Sequence, residues 1–162
     1  MQESDLEAAR AVGFHYVGYA ARSRWELERR LERSEFAPEV IATIVSEFVE
    51  RGWIDDEAFA KQWVEDRADR KRYGKSRLAA ELRRKGIEKE TVQEAVGGVE
   101  DEAELRRALE AARSKWRAES LESGDRDAIL AEKRRIANFL QRRGFSWNII
   151  TQVFARLMPN QE

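Results

Sequence analysis

The chain has 162 residues, 38% of them charged, and its 30 basic and 31 acidic side chains leave a net charge of −1. With no cysteine and one histidine, it has no disulfide framework and no cysteine nucleophile, and a zinc or haem site is not expected. Near-neutrality excludes a general polycation that coats nucleic acid. No apolar run approaches the roughly 20 residues of a membrane span, so a cytoplasmic protein without membrane contact is expected.

The predicted elements begin with an entry segment containing Gly13 and Gly18. Ser23-Arg24-Trp25-Glu26 then reads as a capping box for a helix carrying Leu27 and Leu31. Pro38 opens the next helix, where its missing N–H costs nothing. That helix runs through Ile41, Ile44 and Phe48 to Gly52, and Trp53 is expected to fold back and seal its end. Asp55, Asp56 and Glu57 start a helix over 56–71, with Phe59, Trp63 and Val64 at core spacing. Gly74 is expected to break this run after Tyr73. A second central helix spans Ser76 to Lys85 and stops at Gly86, and a third spans Lys89 to Val96 before Gly97-Gly98. The charged run 101–117 forms the next helix, with Leu105, Leu109, Ala112 and Trp116 inward. A polar stretch from Ser120 to Asp127, with Ser123-Gly124, reads as a lengthened loop over about 118–127. Beyond it, a helix carrying Ile136 and Leu140 ends at Gly144, and Ser146 caps the last helix.

These elements repeat. Leu27, Leu31, Phe36, Ile41, Ile44 and Phe48 recur 51 residues on as Leu78, Leu82, Ile87, Val92, Ala95 and Val99. A further 58 residues bring Ile136, Leu140, Phe145, Ile150, Val153 and Leu157. The expected fold is all-α: three tandem three-helix repeats over 8–51, 52–99 and 101–159, in an elongated, curved array. The alignment also puts Glu35 at the place of Gly86 and Gly144, so the first repeat's turn lacks its left-handed specialist.

Little points to catalysis. His15 has no companion nucleophile or ligand, and Asp55-Asp56 sit where a helix needs capping. Tyr73-Gly74-Lys75-Ser76 lacks the strand and first glycine of a phosphate-binding loop. No enzyme activity, metal or cofactor is expected. Basic residues fall in columns: Arg24, Lys75 and Lys133 in one, Arg33, Arg84 and Arg142 in another. The central repeat adds the densest cluster, with Arg67, Arg70, Lys71, Arg72, Arg77, Arg83 and Lys85. Most surface charge is simply solvated, but columns kept basic in every repeat suggest contact with an anionic surface. Trp25 lies about 200° around its helix from Leu27, off the apolar face. It and Trp147 align with non-aromatic residues in the other repeats. Each either covers a neighbouring repeat or anchors a partner.

The run Gly52-Trp53-Ile54-Asp55-Asp56-Glu57-Ala58-Phe59-Ala60, then Arg67, Tyr73-Gly74-Lys75-Ser76-Arg77-Leu78 and Glu81-Leu82-Arg83-Arg84-Lys85-Gly86-Ile87, resembles the RecX family of RecA regulators. Arg22-Ser23 with Glu26-Leu27 and Arg30-Leu31 is similar to the family's first repeat, and Arg143-Gly144-Phe145 to its third. Departures are Trp53 for the usual Tyr, Glu35 for Gly, and the Gly13–Gly18 entry segment. The resemblance implies a non-enzymatic monomer that binds the RecA nucleoprotein filament on single-stranded DNA and inhibits it by blocking extension or activity. The other reading of the residues is a direct module for single- or double-stranded DNA. Candidate contacts are Arg67, Lys71, Arg72, Lys75, Arg77, Arg84 and Lys85, with Trp25 and Trp147 as anchors. Gly52, Trp53, Asp55, Phe59, Gly74, Leu82 and Gly86 are expected to be structural.

Overall fold

A computed structural model describes residues 3–117 and 124–158, and every regular element among them is an α-helix. The helices are α1 (Glu3–Tyr19), α2 (Arg24–Glu32), α3 (Pro38–Glu50), α4 (Asp56–Lys71) and α5 (Lys75–Arg84). They continue with α6 (Lys89–Gly97), α7 (Asp101–Arg113), α8 (Arg126–Arg142) and α9 (Trp147–Leu157). The expected all-α arrangement of three helices per repeat is present. Residues 118–123 of the expected long loop lie outside the described residues; helix resumes at Arg126.

The chain divides into two compact units, 1–62 with 81–95, and 63–80 with 96–162. In the first, α1, α2 and α3 close over Leu27, Leu31, Val40, Ile44, Val45 and Phe48. The entry segment is part of the unbroken α1, and Gly13 is buried under the Phe48 ring, which would stand 2.7 Å from a Cβ there. In the second, α7, α8 and α9 close over Leu105, Leu109, Ile136, Leu140, Phe145, Ile150 and Val153. Burying such a side chain contributes about 2 kcal/mol, so each bundle supplies a full small core. The central repeat is shared out: α4 and α5 each give residues to both units.

Local chemistry sets the helix ends. Ser23 forms the expected capping box with Glu26, and Ser146 Oγ accepts from the Ile149 amide. Asp55 Oδ1 accepts from Ala58 N–H at 3.0 Å, as a helix start requires. After α2, α5 and α8 the same turn recurs, with Phe36, Ile87 and Phe145 amides returning to the Leu31, Leu82 and Leu140 carbonyls. Its left-handed residue is Glu35 (φ 61°), Gly86 (73°) and Gly144 (87°) in turn. Trp53 folds back as expected, its amide on the Phe48 carbonyl and its ring 5.1 Å from that of Phe48.

Four expectations need correction. Gly74 does not break α4: the helix ends at Lys71, and the left-handed residue is Arg72 (φ 51°). Gly74 is needed because a Cβ there would lie 2.3 Å from the Gly144 carbonyl oxygen. Helix α7 stops at Arg113 rather than 117, and Arg117 N–H instead donates to buried Glu132. Trp63 is half-buried rather than central, with the Arg67 guanidinium 3.7 Å above its ring. The long loop ends at Asp125, not 127, because Asp125 caps α8 through the Asp127 amide.

Candidate partner-binding surface

Each unit is built around a joint between two successive repeats, and the two joints follow one plan. In the first unit the start of α2 rests on the turn after α5. Ser23 Oγ donates to the Lys85 carbonyl at 2.5 Å, and Trp25 covers Gly86 so closely that a Cβ there would stand 2.3 Å from the Trp side chain. Lys85 Nζ pairs with Glu26 at 2.6 Å, and Arg24 N–H donates to Asp56 at 2.8 Å. Burial raises the Asp56 carboxyl above its ordinary pKa, an effect that the Arg24 bond opposes and the Glu88 and Asp55 charges reinforce.

In the second unit the start of α5 rests on the turn after α8. Gly74 and Ser76 amides donate to the Arg143 and Gly144 carbonyls at 2.8 and 3.2 Å. A Cβ on Gly144 would lie 2.4 Å from Arg77. Lys75 N–H donates to buried Glu104 at 2.9 Å, and Lys75 Nζ to Asp101 at 2.6 Å. That bond to Lys75 draws the Asp101 carboxyl below its usual pKa. Arg77 donates to the Arg142 carbonyl at 3.2 Å, and Arg143 to the Lys71 carbonyl. Both guanidinium groups lie over Tyr73, at 4.0 and 5.7 Å. Arginine is suited to this use because its planar fork can stack and bond together.

These joints sort the candidate residues. Lys75, Arg77 and Lys85 hold repeats together, Arg72 pairs with Glu110 at 3.4 Å, and Arg67 stacks on Trp63. Sequence columns could not reveal this for Arg72, Lys75, Arg77 and Lys85, because the carboxylates and carbonyls they meet come from other repeats. Arg84 lies exposed in the first unit, with Arg83; Lys71 lies exposed in the second, with Arg70 and Arg142. Trp25 is 40% exposed but seated on Gly86, whereas Trp147, at 60%, stands displayed at the start of α9. Column spacing had also marked Arg142, though not as a principal candidate.

Charge is divided unequally. The first unit carries 12 basic and 17 acidic residues, a net of −5; the second carries 18 and 14, a net of +4. Among the described residues there is no cluster of metal-ligating side chains, and no helix is long and apolar enough to cross a membrane. His15 is exposed, edge-on to Tyr19 at 4.9 Å.

Comparison with known proteins gives three consecutive family matches. Residues 9–48 match the RecX first three-helix domain, 55–96 the second and 102–154 the third. The chain is 36% identical over 156 residues to a regulatory protein RecX of Mycolicibacterium vanbaalenii, covering 96% of this chain and 85% of that protein. A Chromobacterium violaceum protein of the same name is 33% identical, with 82% and 80% covered. The crystal structure of RecX from Lactobacillus salivarius superposes with a TM-score of 0.87 at 21% identity, covering 96% of this chain and 98% of that one. At that identity the likeness speaks for the fold.

Proposed function

The chain belongs to the RecX family, and we propose that it acts as a regulator of RecA, binding the RecA filament on single-stranded DNA and inhibiting it. The observation that carries this reading is the ordered match of all three family domains from residue 9 to residue 154. The site chemistry supports a role by occupancy. Among the described residues Arg84, Lys71, Arg70 and Arg142 are exposed basic side chains that a partner can meet. Exposed basic residues on a nearly neutral chain suit a surface that mixes protein and nucleic acid. We assign the primary contacts to Lys71 and Arg84 with Trp147 as anchor, and Lys75, Arg77 and Lys85 act by holding the joints that present them.

The test is RecA ATP hydrolysis on single-stranded DNA. Added protein should suppress hydrolysis, and Lys71→Ala/Arg84→Ala should weaken suppression about tenfold with helicity unchanged, the equivalent of ~1.4 kcal/mol. Undiminished suppression by that variant would remove the basic residues from the contact. Absence of any effect on hydrolysis would count against inhibition itself.

A further inference from the structure

We propose that the repeat joint is also a latent contact between copies of this chain, held shut on both sides by features of the outer repeats. The joint has two parts. One is a seat: a turn with a left-handed residue, and an acidic residue from the first helix of the same repeat. The other is a helix start whose free amides enter that seat. Gly86 with Asp56 forms one seat, and Gly144 with Glu104 the other.

The first repeat has the same turn and, in register with Asp56, an acidic residue in its first helix. Its turn has the same hydrogen bond, from Phe36 N–H to the Leu31 carbonyl, and the same left-handed φ at Glu35. Asp5 stands 51 residues before Asp56 and is exposed. What differs is the side chain of residue 35. At Gly86 and Gly144 the arriving helix start comes to 2.3–2.4 Å from where a Cβ would be. No residue with a Cβ permits that approach. Glu35 therefore preserves the seat and blocks it.

The third repeat is closed differently. Helices α2 and α5 begin at Arg24 and Lys75, so the amides around those positions are available to the joint. The equivalent residue in α8 is Lys133, but α8 begins seven residues earlier at Arg126. About two added turns bring the amides at 132–135 inside the helix ladder. Glu132 replaces Gly74, and Arg135 replaces Arg77. Arg135 donates to the Lys115 carbonyl just as Arg77 donates to that of Arg142, and Glu132 accepts from Arg117 N–H at 2.9 Å. The segment Lys115–Arg117 gives α8 what the next repeat's turn gives α5.

A joint that passed from the third repeat of one copy to the first repeat of another would be heterologous and open-ended. Both blocks oppose it, and the proposal stands apart from the filament reading because neither RecA nor DNA enters its test. Glu35→Gly opens the seat only, and deletion of residues 126–131 together with Glu132→Ser, the residue that the first joint accepts at this position as Ser23, opens the helix start only. Each variant alone should remain monomeric in sedimentation equilibrium, as should the unaltered chain. Their equimolar mixture should form a heterodimer with a Kd below ~1 mM, and both changes in one chain should give larger, concentration-dependent species. Glu35→Ala keeps a Cβ and should not pair in the same mixture. Should the deletion unfold the chain by circular dichroism, Ala131→Pro ends the added turns without shortening it and takes its place. A mixture of folded variants that stays monomeric at about 1 mM, or one that associates equally well with Glu35→Ala, would overturn the proposal.

Discussion

At the scale of single residues, space around the backbone separates glycines that look alike in sequence. Gly52 has a φ of 71° with nothing within 4 Å of its missing Cβ, whereas Gly86 and Gly144 combine positive φ with a neighbour at 2.3–2.4 Å. Gly52→Ala should cost about 1 kcal/mol, the strain of the left-handed conformation. Gly86→Ala and Gly144→Ala should cost about 3 kcal/mol or more, because overpacking adds to that strain. Urea titration of the three variants would check the ranking. Arg107 offers the opposite sign. It is 8% exposed, 3.5 Å from Asp69, and its Nε and Nη2 have no hydrogen-bond partner among the described residues. Arg107→Met keeps the apolar stem and removes the unsatisfied donors, so stability should rise by about 1–2 kcal/mol, read as a higher Tm. Glu35 was legible as an oddity from alignment alone. The need for glycine at 74 was not, because it arises from backbone about 70 residues away (Gly144).

At the scale of elements, carboxylates paired with arginines within and between helices make the fold sensitive to acid. Hydrogen bonds from Arg10 to Glu47, from Arg156 to Glu102 and from Arg135 to Glu132 hold these carboxyls below their usual pKa. A carboxyl depressed in the folded state adds stability above its unfolded pKa and loses it as pH falls through the folded value. Stability should therefore decline below about pH 4.3, the ordinary glutamate range. Asp56 runs the other way: its raised pKa favours the protonated fold, so its contribution is largest in acid and lost as pH rises through the folded value. Glu132→Gln should cost about 1–2 kcal/mol at neutral pH and flatten part of the acid limb in thermal unfolding between pH 3 and 7. Helices themselves were readable because their signals are local. Ser23, Pro38, Asp55 and Ser146 each start a helix by chemistry confined to one turn. The end of α7 was not readable, since Arg117 N–H is held by Glu132, a residue of the next helix that only folding brings to it.

At the scale of the whole molecule, the two joints explain why three sequence repeats give two compact units. Each unit gathers one outer repeat around the part of the central repeat that its joint engages. The threefold apolar pattern made the repeat architecture legible. Display was less so: Lys75 and Lys85 occupy basic positions expected to face a partner, yet their ammonium groups meet Asp101 and Glu26. Only folding brings those carboxylates to them. Lys85→Met should therefore weaken the fold, by about 1–3 kcal/mol for a lost charge-assisted contact that leaves the Glu26 carboxylate without its cation, though still bonded to the Ser23 amide. Lys71→Ala, at an exposed side chain, should change stability by less than about 0.5 kcal/mol. Chemical denaturation of the two variants would check that division between holding and displaying.

The most direct measurement of RecA regulation is co-sedimentation of this chain with RecA filaments assembled on single-stranded DNA, alongside the same DNA without RecA, across a salt series. Retention with filaments should exceed retention on naked DNA at every salt concentration, and Lys71→Ala/Arg84→Ala should lower it. Equal retention on naked DNA, falling with salt at roughly −0.7 per neutralised phosphate, would contradict filament recognition and leave a DNA-binding module in its place.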